Sequence, residues 1–189
     1  YIEGNTHLEA FAGLMNELFD ENGILIAGSD FFQIKELLAD DLKLSIKNAD
    51  RIYNAIETQS VKIEDKFHRQ VLNGDSNLFY LDEDCKRIKI HKNGDVWIAD
   101  SKEWQTDDLL NEIEENPERF SPNVFLRPIL QDRLFPTLGY VAGPGELAYY
   151  GQMKLLYQQF DLVMPPIIPR YTATIIESAI SRIIEKLPF

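Results

Sequence analysis

The feature that most restricts how this chain can fold is a glycine turn set between two short apolar runs in its last third. Leu138 to Ala142 is the first run, Gly143-Pro144-Gly145-Glu146 opens a helical pattern ending near Phe160, and Met164-Pro165-Pro166-Ile167-Ile168-Pro169-Arg170 closes the stretch. Strands separated by an amphipathic segment of helix length are parallel neighbours joined by a crossover, because antiparallel neighbours need only a tight turn. The pattern predicts a strand-turn-helix-strand unit. A further short run, Ile24-Leu25-Ile26-Ala27 between Gly23 and Gly28, has the look of a parallel strand buried on both faces. Ser29-Asp30 then either cap the next helix or face a ligand at the carboxyl edge of the sheet.

Around these runs the chain divides by periodicity. Thr6 or Asn5 caps a first helix with Leu8, Phe11, Leu14, Met15, Leu18 and Phe19 on one face. Phe31 to about Gln59 forms one long or two broken helices. From Asn77 the period falls to two. Leu78 to Leu81, Arg87 to His91 and Val96 to Ile98 are expected as a small β-meander, with the last turn at Asn93-Gly94. Thr106 starts a short helix closed at Asn116-Pro117, and Tyr171 to Lys186 is again helical, with a wide apolar face from Ile175 to Ile184 that needs a partner. The expected organisation is an α/β fold: residues 1–60 the first part of a parallel-sheet core, 61–120 an α+β insertion holding the meander, and 121–189 the second part of the core.

Composition narrows the function classes. A chain of 189 residues with 44% apolar side chains can bury a sizeable core. With 19 basic against 31 acidic residues its net charge of -12 repels phosphate backbones and anionic membrane surfaces. Nucleic acid is not an expected partner, nor is a membrane, since no run approaches the ~20 apolar residues of a spanning helix. The single cysteine, Cys85, permits neither an internal disulfide nor a cysteine-based metal cluster, which fits a cytoplasmic setting. The chain starts at Tyr1 without Met and stops just after a helical pattern, as a segment of a longer protein would.

Candidate chemistry gathers between Ser121 and Arg170. The Gly143-Pro144-Gly145-Glu146 junction is either a tight structural turn or a place where backbone N–H groups meet an anion. Proline supplies no N–H, and Glu146 opposes an anion beside it. Arg127, Gln131, Asp132 and Arg133 form a polar knot in an apolar, proline-marked segment. Arginine can grip carboxylate or phosphate and Asp132 can serve as a base, or an internal Arg-Asp pair simply fixes a loop. Arg170 ends the second apolar run, placed either to face a ligand or to pair with Glu177. Tyr149, Met153, Leu156 and Phe160 share a core face, which leaves Tyr150 and Gln152 on other faces, free for recognition. His7, His68 and His91 are dispersed, so no metal site is expected. Cys85 sits in an acidic turn that disfavours its thiolate, and no Gly-x-Ser-x-Gly elbow is present.

The wording of this stretch is also distinctive. Ser121-Pro122-Asn123-Val124-Phe125-Leu126-Arg127-Pro128, Gln131-Asp132, Tyr140-Val141, Gly143-Pro144-Gly145-Glu146 and Pro169-Arg170, with Tyr1 to Thr6 and Asn77 to Leu81, resemble the bacterial cysteine-adding enzymes of bacillithiol biosynthesis. The resemblance implies a Rossmann-like core interrupted by insertions, and a longer parent that pairs two subunits through a C-terminal coiled coil. It further implies an amide-forming ligase joining cysteine to glucosaminyl malate, with ATP as the candidate activator and the isolated segment inactive. Carried onto this sequence, Asp132 is the candidate catalytic residue, and Arg127, Gln131, Gly143, Gly145, Glu146 and Arg170 are candidates for substrate or nucleotide binding. A noncatalytic module for nucleotides or small anions, and a purely structural segment, are the other readings.

Overall fold

The computed structural model describes residues 6–28 and 32–187. The chain opens with α1 (His7–Phe19), started by a capping box in which Thr6 and Glu9 each accept the other's backbone N–H. Gly23 follows a short 3-10 turn at φ 65°, a conformation glycine adopts without a Cβ penalty. Ile24 to Gly28 then runs without a strand partner among the described residues. The expectation of a buried parallel strand there is not met: Leu25 is 82% exposed and Ile24 44%. Apolar character alone makes no strand where no neighbouring edge supplies a ladder. Ser29-Asp30 lies outside the described residues, as does Asn5.

Three helices follow: α2 (Phe32–Leu37), α3 (Ala39–Lys47) and α4 (Ala49–Glu64). Leu38, Leu42, Ile46, Ala49, Ile52 and Ile56 recur at helical spacing and are all buried. Two sharp corners, near Leu38 and Asn48, divide what periodicity presents as one or two helices, and α4 runs past residue 60. The meander comprises five strands: β1 (Leu78–Leu81), β2 (Arg87–Lys89), β3 (His91–Asn93), β4 (Val96–Ala99) and β5 (Lys102–Gln105). All their pairings are antiparallel. The expected strand from Arg87 to His91 splits at the fully buried Ile90, whose first half pairs with β1 and second half with β4. The fifth strand escaped the period-two search because Trp104 is its one apolar residue, and its entry turn uses Asp100 at φ 54° instead of glycine.

Helix α5 (Thr106–Glu115) buries Leu109 and Ile113 and packs on α3. Strand β6 (Phe120–Pro122) returns to pair antiparallel with β1 across residue 120. Next comes α6 (Leu126–Leu134), where the sequence suggested a loop. Asn123 starts it by accepting the N–H groups of Phe125 and Leu126, and Pro128 lies in the first turn, where its missing N–H costs nothing. Strands β7 (Tyr140–Ala142) and β8 (Ile167–Pro169) are parallel, pairing Tyr140 with Ile167 and Ala142 with Pro169 as the strand-helix-strand pattern requires.

The single crossover helix is in fact two, α7 (Pro144–Tyr150) and α8 (Lys154–Gln159). The break turns Gln152 inward, where its amide bonds Ser60 Oγ and both backbone groups of Val71. Gln152 and Tyr150, expected free for recognition, are each 1% exposed. The last helix, α9 (Ser178–Ile184), starts seven residues later than Tyr171, after a β-branched run through Thr172, Thr174, Ile175 and Ile176 that disfavours helix. Its isoleucines are exposed, as are Phe11, Leu14 and Leu18 of α1. One core cluster, from Leu38 through Trp97 and Phe125 to Phe160, underlies α3 to α8 and the meander. Among the described residues no helix is long and apolar enough to cross a membrane.

Candidate functional site

Helix α6 sorts the polar knot by the rotation of its turns. Arg127 and Gln131 lie four residues apart, on one side, and Arg127 Nη1 donates to Gln131 Oε1 at 3.0 Å. Asp132 and Arg133 point elsewhere. The alternative of an Arg-Asp pair within the knot finds no such pair among the described residues. Asp132 instead accepts the hydroxyls of Thr137 and Tyr157, both at 2.7 Å, and so ties α6 to α8 and to the loop before β7. Arg133 donates to both oxygens of the buried Asp41 of α3, at 3.0 to 3.2 Å, and to the Phe160 carbonyl at 2.7 Å.

Arg127 and Gln131 line a cavity of about 600 Å3 between α2, α3, β6 and α6. Its other walls are mostly apolar, among them Leu38, Phe120, Leu130 and Leu134, with Leu25, Ala27 and Gly28 on one side. An apolar hollow with a few fixed polar groups is the usual form of a small-molecule site. Among the described residues the Arg127 guanidinium meets only neutral oxygens: Gln131 Oε1, Tyr140 Oη at 3.2 Å and Tyr149 Oη at 3.5 Å. Burial opposes its charge, yet the bonds to the Tyr149 and Tyr140 hydroxyls outweigh that and push its pKa up. Among the described residues the cation is held by an amide and two phenols with no carboxylate in contact, an arrangement suited to a ligand's anionic group.

The remaining candidates sit at the carboxyl ends of β7 and β8. Glu146 Oε2 accepts the Gly143 N–H at 2.8 Å, and Glu146 Oε1 accepts the Tyr140 hydroxyl at 2.6 Å. The Tyr140 bond first, then the Gly143 N–H, hold the Glu146 carboxyl below its ordinary pKa, with Arg127 and Arg170 adding attraction. Burial and Glu146 push the Tyr140 phenol up, against the pull of Arg127. Arg170 shows no pairing with Glu177; its backbone N–H joins the Ala142 carbonyl at 2.7 Å. A Cβ added at Gly143 would lie 2.8 Å from Arg170 Nη2, so glycine leaves room for that guanidinium. Gly145 is exposed and has nothing within 4 Å of a notional Cβ.

The predicted set therefore separates into a cavity wall (Arg127, Gln131), a strand-end group (Gly143, Glu146, Arg170) and an interior lock (Asp132), with Gly145 apart. Tyr140 joins the first two. Sequence reasoning missed Tyr140, Tyr149, Tyr157 and Thr137. Tyr149 was placed correctly in the core, but a hydroxyl reaching from a core face to a charge leaves no mark in a hydrophobic period. The Tyr150 hydroxyl is buried without a hydrogen-bond partner of normal geometry, close enough to Tyr157 to help raise that phenol's pKa. Among the described residues no three His, Cys, Asp or Glu side chains gather as metal ligands.

Helices interleaved with strands, and the parallel β7–β8 pair with its helical crossover, define an α/β chain. Residues 1–171 match the family model described as "Bacillithiol biosynthesis BshC, N-terminal Rossmann-like domain", and the chain belongs to this family. It is 34% identical over 191 residues to the "Putative cysteine ligase BshC" of Chlorobaculum tepidum, covering 99% of this chain and 34% of that protein. Proteins of the same description from Salinibacter ruber and Bacillus pumilus are 34% and 35% identical, each covering 98% of this chain and 35% of the relative. The chain thus spans about one third of the length of these relatives.

Proposed function

We propose that this chain supplies one wall of the substrate site of a ligase that joins cysteine to glucosaminyl malate through an amide bond, in a protein longer than the chain. The observation that carries the reading is Arg127, a half-buried cation on the wall of an apolar cavity whose hydrogen-bond partners among the described residues are all neutral. Both substrates carry carboxylates, and a guanidinium fixed in advance binds such a group without first reorganising. Gln131, bonded to Arg127, offers its amide N–H groups to the same cavity. The cytoplasm is the proposed location and a homodimer of the full-length protein the proposed assembly.

Amide formation from a free carboxylate needs an activated carboxyl, and ATP is the proposed activator. The Gly143-Pro144-Gly145 turn does not suit its phosphates. The Gly143 N–H is already bonded to the Glu146 carboxylate, Pro144 has no N–H, and Glu146 would repel a phosphate beside it. No step is assigned to a nucleotide at this turn. Asp132, with both oxygens bonded to buried or half-buried hydroxyls of its own fold, acts in this reading as an internal tie and not as the base.

The test is product formation by the full-length protein with cysteine, glucosaminyl malate and ATP, followed by mass spectrometry. Arg127→Ala should abolish product with the fold intact, and residues 1–189 alone should give none. Normal turnover in Arg127→Ala would sink the assignment. Loss of turnover in Asp132→Asn with an unchanged melting temperature would return Asp132 to the chemistry.

A further inference from the structure

Arg127 and the end of β7 are joined by one directed line of hydrogen bonds. A phenol has a single proton to give, and at 2.6 Å from Glu146 Oε1 that proton is committed to the carboxylate. The Tyr140 oxygen consequently meets Arg127 Nη2, at 3.2 Å, as an acceptor. The other Glu146 oxygen is fixed by the Gly143 N–H at 2.8 Å, which keeps the carboxylate from turning onto Arg127 itself. Among the described residues Arg127 makes three bonds out of five N–H donors, which leaves two without a described partner on a residue that lines the cavity.

We infer that Glu146 is a positioning residue for the Arg127 cavity: acting through the Tyr140 hydroxyl, it holds the guanidinium in place and offsets its charge without occupying the donors left for a ligand. A direct ion pair would satisfy Arg127 and blunt its attraction for an incoming carboxylate. One intervening phenol separates the two tasks. The lowered pKa of Glu146 agrees with a carboxylate that stays ionised in this role. Arg170, whose guanidinium lies against Gly143, adds a second positive charge that favours the ionised Glu146.

The inference rests on the reading that Arg127 receives a ligand carboxylate, and the experiment separates the two. The full-length protein is titrated calorimetrically with L-malate, a small dicarboxylate, as the unsubstituted chain, Arg127→Lys, Glu146→Gln, Tyr140→Phe and the Glu146→Gln/Tyr140→Phe double variant. Each melting temperature is recorded. Glu146→Gln and Tyr140→Phe should each weaken binding roughly tenfold, the scale of one charge-assisted hydrogen bond. The double variant should bind no worse than the weaker single one, and Glu146→Asp should recover part of the loss. Tyr140→Phe leaves the Glu146 bond to Gly143 intact, so it stays informative if Glu146→Gln loosens α7. Additive losses, or full affinity in both single variants, would overturn the positioning role even where Arg127→Lys weakens binding. Absence of malate binding by the unsubstituted chain, or indifference to Arg127→Lys, would overturn the Arg127 reading and the positioning role together.

Discussion

The two sides of α6 carry the same kinds of side chain and finish them in opposite ways. On the side turned to α3 and α8, the interior side, Arg133, its side chain still 37% exposed, meets both oxygens of a buried carboxylate and a carbonyl, and Asp132 takes two hydroxyls. On the cavity side Arg127 meets an amide and two phenols, with no carboxylate in contact among the described residues. A charge compensated within the fold contributes stability, whereas one compensated only by neutral dipoles retains an attraction for something else. Residue type cannot tell the two apart, and partners can.

The comparison breaks first at Arg133. Removing it leaves Asp41, whose residue is 8% exposed, without its guanidinium partner, and an orphaned buried carboxylate is costly. Arg133→Ala should destabilise the chain by about 2 kcal/mol in urea unfolding while leaving malate affinity unchanged. A variant as stable as the parent would mean that the interior side is not finished as described. Arg127→Lys should do the reverse. Lysine keeps the charge but loses the planar fork, so binding should weaken roughly tenfold, about 1.4 kcal/mol, while stability moves by less than ~1 kcal/mol. If stability falls and affinity does not, Arg127 belongs with Arg133 and the cavity loses its anchor.

A third difference appears at alkaline pH, because the interior lock is built on phenols. Burial, then the bond to Asp132, pushes the Tyr157 pKa far above the usual tyrosine range, and burial does the same to Tyr150. Above pH ~10 the unfolded chain releases these protons and the folded chain keeps them, so stability is lost as pH rises, by up to about 1.4 kcal/mol per pH unit for each such tyrosine. Tyr157→Phe removes one of them and should flatten the slope between pH 10 and 11. An unchanged slope would place the alkaline sensitivity elsewhere.

How much of this was legible in the sequence depends on how local each cause is. The parallel pair β7 and β8, the helix faces and the Asn93-Gly94 hairpin follow from spacing and turn chemistry, and Gly94 does adopt a φ of 62°. Helix α6 was legible but overlooked: Leu126, Ile129, Leu130 and Leu134 keep the helical period beneath a proline that draws the eye. Ile24 to Ala27 shows the limit from the other side, since a strand needs an edge to pair with and no run of residues records whether one is present. The candidate site was legible as a list and not as a geometry. Arg127, Gln131, Glu146 and Arg170 stand out in the sequence as polar candidates, but which of them share a wall depends on the rotation of the helix from residue to residue and on a tyrosine from the neighbouring strand. Asp132 was promoted for its chemistry alone, and its two hydroxyl donors lie five and 25 residues away.

The smallest expected effect, and the one that tests the link between the two ends of the Arg127 line, is acid sensitivity at Glu146. Tyr140 and the Gly143 N–H stabilise the charged carboxylate, so its pKa in the folded chain lies below the ordinary 4.5. Between the folded and unfolded values the unfolded chain binds more protons, hence this contribution is complete above pH 4.5 and is lost as pH falls through the folded value. The net charge of -12 gives the chain many other carboxylates, so an acid limb by itself identifies nothing. What isolates Glu146 is a pair of variants. Glu146→Gln abolishes its titration, and Tyr140→Phe removes the largest cause of its shift without touching the carboxyl. Urea midpoints followed from pH 6 to 3.5 should fall less steeply for Glu146→Gln than for the parent, and Tyr140→Phe should lie between them. If Tyr140→Phe tracks the parent throughout, the phenol is not what holds the carboxylate ionised, and the cavity wall and the strand end are neighbours without being coupled.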